Sequence, residues 1–167
     1  RLVASLNRAS LVDGPAQREF LIQAKVVSAD KAVVLGDGSV AGVDVDRFAS
    51  SPRLRTRVRL DLGISDQDVV IVFVGRMSVE KGVQVLMEAM PRVWERYPNV
   101  KVLLVGPDED GVVSGSEFVR RCIADGKLIH KGFSDKPHEY LNCADIFCMP
   151  SFREGFGVSA LEASATG

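Results

Sequence analysis

Four short apolar runs divide the chain from residue 69 onward into alternating segments. The first, Val69 to Val74, is an unbroken run of β-branched and aromatic residues that stops at Gly75. Similar runs return at 101–106, 127–132 and 144–150. Runs that are apolar at successive positions are typical of strands buried on both faces, as in parallel sheets. The pattern therefore predicts four strands of a parallel sheet.

Between these strands, apolar positions recur every three or four residues, which indicates helices. The clearest segment covers 80–97, and Pro91 inside it predicts a kink. Further helices are predicted at 115–125, 137–142 and 157–167. Strands that alternate with helices predict an α/β fold, a Rossmann-like doubly wound parallel sheet. The less regular first 65 residues predict a helix at 14–27, a strand at 32–36 and a glycine-punctuated loop at 36–44.

Four arginines at alternate positions lie in a segment whose apolar residues repeat every four positions: Arg53, Arg55, Arg57 and Arg59. The repeat predicts an amphipathic helix with a basic outer face. Two interpretations stay open at this point. The face is either simply solvated, or it contacts an anionic acceptor or a membrane surface.

Composition and charge narrow the class of protein. The 167 residues are 46% hydrophobic and 26% charged, with a net charge of −1, which is ordinary globular usage without the positive field that nucleic-acid binding requires. No apolar run approaches the roughly 18 residues that span a bilayer. The cysteines, Cys122, Cys143 and Cys148, lack metal-site spacing and predict buried reduced thiols, as in a cytoplasmic protein.

Ligands of open parallel sheets bind beyond the carboxyl ends of the strands, so the residues after each strand are the candidates. Arg76, Lys81 and Gly82 follow the first strand. A guanidinium and an ammonium near a helix N-terminus suit a diphosphate, although a surface pair in such a loop is common. No dinucleotide or P-loop motif follows any of the strands.

A second candidate loop follows the strand that ends at Pro150. Glu154 precedes the last predicted helix and Glu162 lies about two turns inside it. Their carboxylates could accept hydrogen bonds from sugar or ribose hydroxyls, and Gly155 and Gly157 would let backbone N–H groups approach a ligand. The alternatives are a helix-capping carboxylate for Glu154 and an exposed helix residue for Glu162.

Taken together, these residues resemble the C-terminal domain of the family 4 retaining glycosyltransferases, which have the GT-B architecture. The most specific element is Glu154-x7-Glu162 within Glu-Gly-Phe-Gly-x4-Glu-Ala, after Pro150-Ser151. Other matching elements are Gly75-Arg76 with Glu80-Lys81-Gly82, the Gly106 turn, and Gly42-Val43-Asp44 followed by Phe48. Many relatives have Asn where Ala41 stands, so a role for that side chain does not carry over.

The resemblance implies a role for each matching residue. Arg76 and Lys81 would grip the donor diphosphate, Glu154 would read hydroxyls of the transferred sugar, and Glu162 would read the ribose. Gly75 and Gly106 would form the strand-end turns, while Gly132 and Phe133 would flank the base. The backbone of four further residues would line the sugar and phosphate pocket: Gly155, Phe156, Gly157 and Val158. The family needs no metal cofactor.

The resemblance also implies domain bounds and partners. Residues 1–31 would be the tail of a preceding domain or a linker helix, and 32–167 an incomplete domain that binds a nucleotide-sugar donor. The 38–44 stretch looks most like bacterial enzymes of surface polysaccharide synthesis. Since those enzymes mostly use UDP-sugars, the resemblance favours a UDP-sugar as the donor. A glycan or lipid-linked acceptor would be bound mainly by a preceding N-terminal domain, in the cytoplasm or peripherally at the inner membrane surface.

Two other functions remain at this stage. A nucleotide-sugar epimerase of the same architecture would also hold a diphosphate at helix N-termini. A non-catalytic interaction module would self-associate through the open edge of the sheet, whose backbone groups lack partners.

Overall fold

The structure is a computed structural model that describes residues 2–38 and 42–167. It divides into two compact units, one comprising Arg1–Val43 with Glu154–Val158 and the other Asp44–Arg153 with Ser159–Gly167. Ser39, Val40 and Ala41, on which the comparison with surface-polysaccharide enzymes partly rests, lie outside the described residues. None of the helices in the described part of the chain is long and apolar enough to cross a membrane.

The first unit is built on a parallel strand pair. Its elements are α1 (Leu2–Leu6), β1 (Ser10–Val12), α2 (Pro15–Gln23) and β2 (Ala32–Val34). β1 and β2 pair in parallel, and Val12, Val27 and Ala32 form a small buried core. The helix predicted at 14–27 is thus shorter at both ends. β2, which begins the predicted donor-binding domain, pairs within the first unit.

The second unit contains the predicted parallel sheet. Its elements are α3 (Pro52–Asp61), β3 (Val69–Val74), α4 (Val83–Arg96), β4 (Val100–Val105), α5 (Glu117–Ala124), β5 (Leu128–His130), α6 (Pro137–Cys143), β6 (Ile146–Phe147) and α7 (Val158–Thr166), whose first residue belongs to the first unit. The strand order is β5-β4-β3-β6, and every neighbouring pair is parallel. All four predicted strands exist, although β5 and β6 are shorter than predicted.

Burial on both faces of the sheet explains why β3 and β4 are apolar at successive positions. Phe73, Val102 and Leu104 pack into a core with side chains of α4 and α5, including Met90. The alternate positions, Val70 and Leu103 among them, are equally buried. Because successive strand side chains point to opposite faces, both faces of the sheet are covered, as a doubly wound fold requires.

The helix starts depend on local caps. The hydroxyl of Ser51 accepts a hydrogen bond from the Leu54 N–H at the start of α3, and Pro52 follows it at the first helical position. α4 begins at Val83, after a short 3₁₀ turn at Val79–Lys81, rather than at the predicted residue 80. It continues past Pro91 to Arg96.

The basic outer face predicted for α3 is wrong for Arg59. This side chain is 2% exposed and donates hydrogen bonds to three backbone carbonyls. Its guanidinium lies 2.9 Å from the Cys143 oxygen, 2.7 Å from the Ser65 oxygen and 2.5 Å from the Asp68 oxygen. The arginine therefore joins α3 to the end of α6 and to the loop before β3.

Two more arginines of α3 contact the rest of the second unit. Arg55 pairs with Asp145 at 2.5 Å, and Arg57 pairs with Glu139 on α6 at 2.7 Å. Asp145 also accepts a 2.8 Å hydrogen bond from the Val70 N–H. Burial acts to raise the pKa of Asp145, but the Val70 hydrogen bond and the arginines outweigh it and hold that pKa below its usual value. α3 thus anchors the chain immediately before β6.

The carboxyl ends of β3, β4 and β5 are joined through three glycines. The Gly75 N–H donates to the Val105 oxygen at 2.9 Å, and the Gly106 N–H donates to the Gly132 oxygen at 2.7 Å. A Cβ at Gly106, whose φ is +141°, would lie 1.8 Å from the Gly75 oxygen. Since no side chain fits at that distance, glycine permits the strand-end loops to lie against each other.

A second close approach joins the loop after β3 to the loop after β6. Gly82 has a φ of +67°, and a Cβ there would lie 2.1 Å from the Pro150 oxygen. The Phe152 N–H also donates to the Glu80 oxygen at 2.9 Å. The two loops that contain the strongest sequence motifs are therefore in direct backbone contact.

We expect Arg59→Ala to lower the free energy of unfolding by about 3 kcal/mol, because it removes the donor of three backbone carbonyls, one of which belongs to the buried Cys143. Arg53→Ala, an exposed position on the same helix, should change it by less than about 0.5 kcal/mol. Urea unfolding monitored by circular dichroism measures both. Equal effects of the two substitutions would contradict the anchoring role of Arg59.

Gly82→Ala should be costlier than Gly126→Ala, although both glycines have nearly the same φ, +67° and +68°. An added Cβ meets nothing within 4 Å at Gly126, so its cost is the left-handed strain of about 1 kcal/mol. At Gly82 the clash with Pro150 adds a further ~1–3 kcal/mol. Thermal or urea unfolding gives the comparison, and equal costs would show that the approach to Pro150 is not required.

Candidate functional site

The loop after β3 places two cations at the carboxyl edge of the sheet. The side chain of Met77 in this loop is fully buried and fixes the loop to the core. Arg76 precedes Met77 and its side chain is 55% exposed, whereas Lys81 lies half-buried in the 3₁₀ turn. The alternation of buried and accessible positions directs the Arg76 side chain away from the core.

The loop after β4 holds the β3 loop in place. The Met77 N–H donates to the Pro107 oxygen at 2.8 Å, and the Asp110 carboxylate accepts from the Val79 N–H at 2.9 Å. The Arg76 guanidinium lies 2.8 Å from the carboxylate of Glu109. Sequence reasoning selected only Gly106 from this loop, although an acidic run directly after a buried strand was a usable signal.

The loop after β5 presents an aromatic ring at the same edge. Phe133 follows Gly132 and is 79% exposed, which is unusual for a phenylalanine without a partner surface. His130, at the end of β5, is hydrogen-bonded through Nε2 to the Gly106 oxygen at 3.0 Å. The His130 imidazole therefore supports the Gly106 turn, and Phe133 is accessible to a ligand.

Glu162 lies on α7 and is half-buried. Burial raises the pKa of its carboxyl, and the nearby charge of Arg47 opposes that shift without cancelling it. A partly desolvated carboxylate has fewer water partners than an exposed one, so it is suited to accept a hydrogen bond from a ligand hydroxyl. The interpretation of Glu162 as a simple exposed helix residue is therefore wrong.

The remaining candidates, Glu154 to Val158, belong to the first unit. There the Phe156 ring lies next to Gly38, where a Cβ would come within 2.7 Å of it. A Cβ at Gly155 would lie 3.1 Å from the Asp13 carboxylate. The sequence predicts only a tail or linker around Asp13, whereas the structure places its carboxylate beside Gly155.

The structure therefore groups the predicted residues in two sets. The set in the second unit shares one sheet edge or the helix that follows: Gly75, Arg76, Lys81, Gly106, Gly132, Phe133 and Glu162. The other set is the 154–158 segment in the first unit. A separate cavity of about 590 Å³, between α4 and the loop before α5, contains none of them.

The second unit's set can bind an anion and a planar ring. Arg76 offers a fork of hydrogen-bond donors, and Lys81 adds a compact positive charge from the same loop. Phe133 offers an exposed face on which a base can stack. This combination of cations, aromatic face and hydroxyl-accepting carboxylate fits a nucleoside diphosphate.

Comparison with known proteins identifies the family of this chain. Residues 55–167 match the family described as glycosyl transferases group 1. A D-inositol 3-phosphate glycosyltransferase of Corynebacterium jeikeium is 32% identical over 99% of this chain and 47% of its own length. A phosphatidyl-myo-inositol mannosyltransferase of Mycobacterium tuberculosis is 33% identical over 75% of the chain and 32% of its own length.

Solved structures show the same fold. The Anabaena protein Alr3699/HepE, in complex with UDP and glucose, superposes with a TM-score of 0.83 at 22% identity, over 99% of this chain and 44% of its own. WaaG, a glycosyltransferase involved in lipopolysaccharide biosynthesis, gives a TM-score of 0.75 at 20% identity, over 93% of this chain and 41% of its own. The chain spans less than half the length of these proteins. It belongs to the group 1 glycosyltransferases and has the fold of the C-terminal, Rossmann-like half of a GT-B enzyme.

Proposed function

We propose that this chain is the donor-binding part of a retaining glycosyltransferase that transfers a sugar from a UDP-sugar to a glycan or lipid-linked acceptor, in bacterial surface polysaccharide synthesis. The observation that carries the proposal is the strand-end edge of the second unit. There Arg76, Lys81 and Phe133 lie on loops that backbone contacts hold together. The Alr3699/HepE structures that contain UDP or UDP-glucose support UDP as the nucleotide.

The cations and glycines of this edge act on the diphosphate in the proposed transfer. The bond from the anomeric carbon of the sugar to the diphosphate breaks, and a bond from that carbon to a hydroxyl oxygen of the acceptor forms. Negative charge develops on the leaving diphosphate, which takes up the proton that the acceptor hydroxyl loses. Arg76 and Lys81 stabilise that charge more in the transition state than in the ground state, which is how positioned cations accelerate such a step without a metal. The backbone groups of the strand-end glycines let the phosphates approach closely.

The carboxylates orient the donor in this proposal. Glu162 accepts hydrogen bonds from the ribose hydroxyls, and Glu154 accepts from hydroxyls of the transferred sugar. The backbone from Gly155 to Val158 lines the sugar and phosphates. Family membership favours this transferase over a nucleotide-sugar epimerase, which shares the diphosphate site but needs no acceptor.

A second candidate acceptor is an inositol phosphate or an inositol phospholipid. The relatives named for those acceptors are 32 to 35% identical to this chain. The test is to incubate the longer protein that contains this chain with a UDP-sugar and either acceptor class. The product mass, measured by mass spectrometry, shows whether the sugar was transferred to the glycan or lipid-linked acceptor or to the inositol acceptor. A lipid acceptor would place the enzyme at the cytoplasmic surface of the membrane.

Isothermal titration of the protein with UDP and GDP tests donor binding. We expect saturable binding, tighter for UDP, and Arg76→Ala should weaken it by roughly 10- to 100-fold, the effect of removing charge-assisted hydrogen bonds. Arg53→Ala removes an exposed arginine of α3, which is not among the proposed donor contacts, and should leave the affinity unchanged. A folded protein that binds neither nucleotide, and that associates with itself as concentration rises, would instead support the interaction module.

A further inference from the structure

The cation that should hold the donor diphosphate is already paired within the protein. The Nη1 atom of Arg76 lies 2.8 Å from Oε2 of Glu109, and the two side chains are 55% and 41% exposed. Glu109 comes from the loop after β4 and therefore reaches Arg76 from a neighbouring strand end. A diphosphate that binds Arg76 must share the guanidinium with this carboxylate or replace it.

We propose that Glu109 is a built-in counter-ion that pairs with Arg76 and is displaced when a nucleoside diphosphate binds. This inference rests on the proposed function and adds a residue that sets donor and product affinity. Glu109 is a positioning residue here, since it acts on the ligand through Arg76.

The pair has the properties of a contact that can be exchanged. It is a single contact between accessible side chains, and exposed ion pairs of this kind are weak because solvent screens them. A diphosphate has more charge than one carboxylate, and its oxygens can engage the guanidinium fork in a bidentate way. The diphosphate therefore displaces Glu109 from the Arg76 guanidinium. Its binding free energy is less favourable by the free energy of the Arg76–Glu109 contact that is lost.

Release of Glu109 does not require the loop to move away. The same loop remains attached through the Met77 N–H, which donates to Pro107, and through Asp110, which accepts from Val79. Only the Glu109 side chain has to change rotamer. After sugar transfer, its return to Arg76 would favour departure of the nucleotide product.

Calorimetric titration with UDP tests the proposal on the protein and four variants: Glu109→Gln, Arg76→Ala, the Arg76→Ala/Glu109→Gln double variant, and Glu117→Gln. Glutamine keeps the size and the acceptor oxygen of Glu109 but removes the charge. Glu117 is the matched control, because it also pairs with an arginine, Arg121, at 3.2 Å on an exposed surface. Circular dichroism melts check that each variant is folded.

Glu109→Gln should tighten UDP binding by roughly two- to fivefold, the range expected when an exposed ion pair no longer competes. Glu117→Gln should leave the affinity unchanged, and Glu109→Gln should have no effect once Arg76 is alanine. An unchanged or weaker affinity of Glu109→Gln, an equal gain in Glu117→Gln, or a gain that survives without Arg76 would overturn the inference while leaving donor binding intact. Absence of UDP binding to the folded unsubstituted protein would instead overturn the proposed function.

Discussion

The structure depends on how closely the backbone can approach itself at the carboxyl ends of the parallel strands. A Cβ at Gly106 would meet the Gly75 oxygen, and one at Gly82 would meet the Pro150 oxygen. These two contacts bring the loops after β3, β4 and β6 together. The parallel strands already end at one edge, and these contacts let the loops there pack directly against one another. The same glycines that suit a phosphate site are thus needed first for the packing of the loops.

A second constraint lies at the opposite end of the short strand β6. Only two residues of β6 pair with β3, so the ladder alone fixes this strand weakly. The arginines of α3 compensate, since Arg59 binds the Cys143 carbonyl and Arg55 binds Asp145. This arrangement positions the chain that leads to Pro150 and Phe152. A helix that seemed from its pattern to face solvent is therefore part of the support for the site.

The parallel sheet, its strands and the main helices could be predicted from the sequence, because burial on both faces leaves an unmistakable apolar run such as 69–74. The rule that ligands bind after parallel strands also selected the loop with Arg76 and Lys81, and its role in binding stays a prediction. Pair contacts could not be predicted. The spacing of Arg59 does not distinguish a buried arginine that binds backbone carbonyls from a solvated one. The sequence near Glu109 does not indicate its pairing with Arg76, which follows another strand. α4 starts at Val83 and not at the predicted residue 80, because a 3₁₀ turn precedes it and Gly82 packs against Pro150. This tertiary contact has no signal in the local sequence.

The central claim is that the strand-end edge of the second unit binds a nucleoside diphosphate. Titration of UDP into ¹⁵N-labelled protein, followed by amide chemical shifts, tests this claim most directly. The account predicts the largest shifts at Arg76, Gly82, Gly106 and Phe133, with little change along the outer surface of α3 near Arg53. Shifts confined to other regions, such as the cavity beside α4, or no shifts in the folded protein, would contradict it.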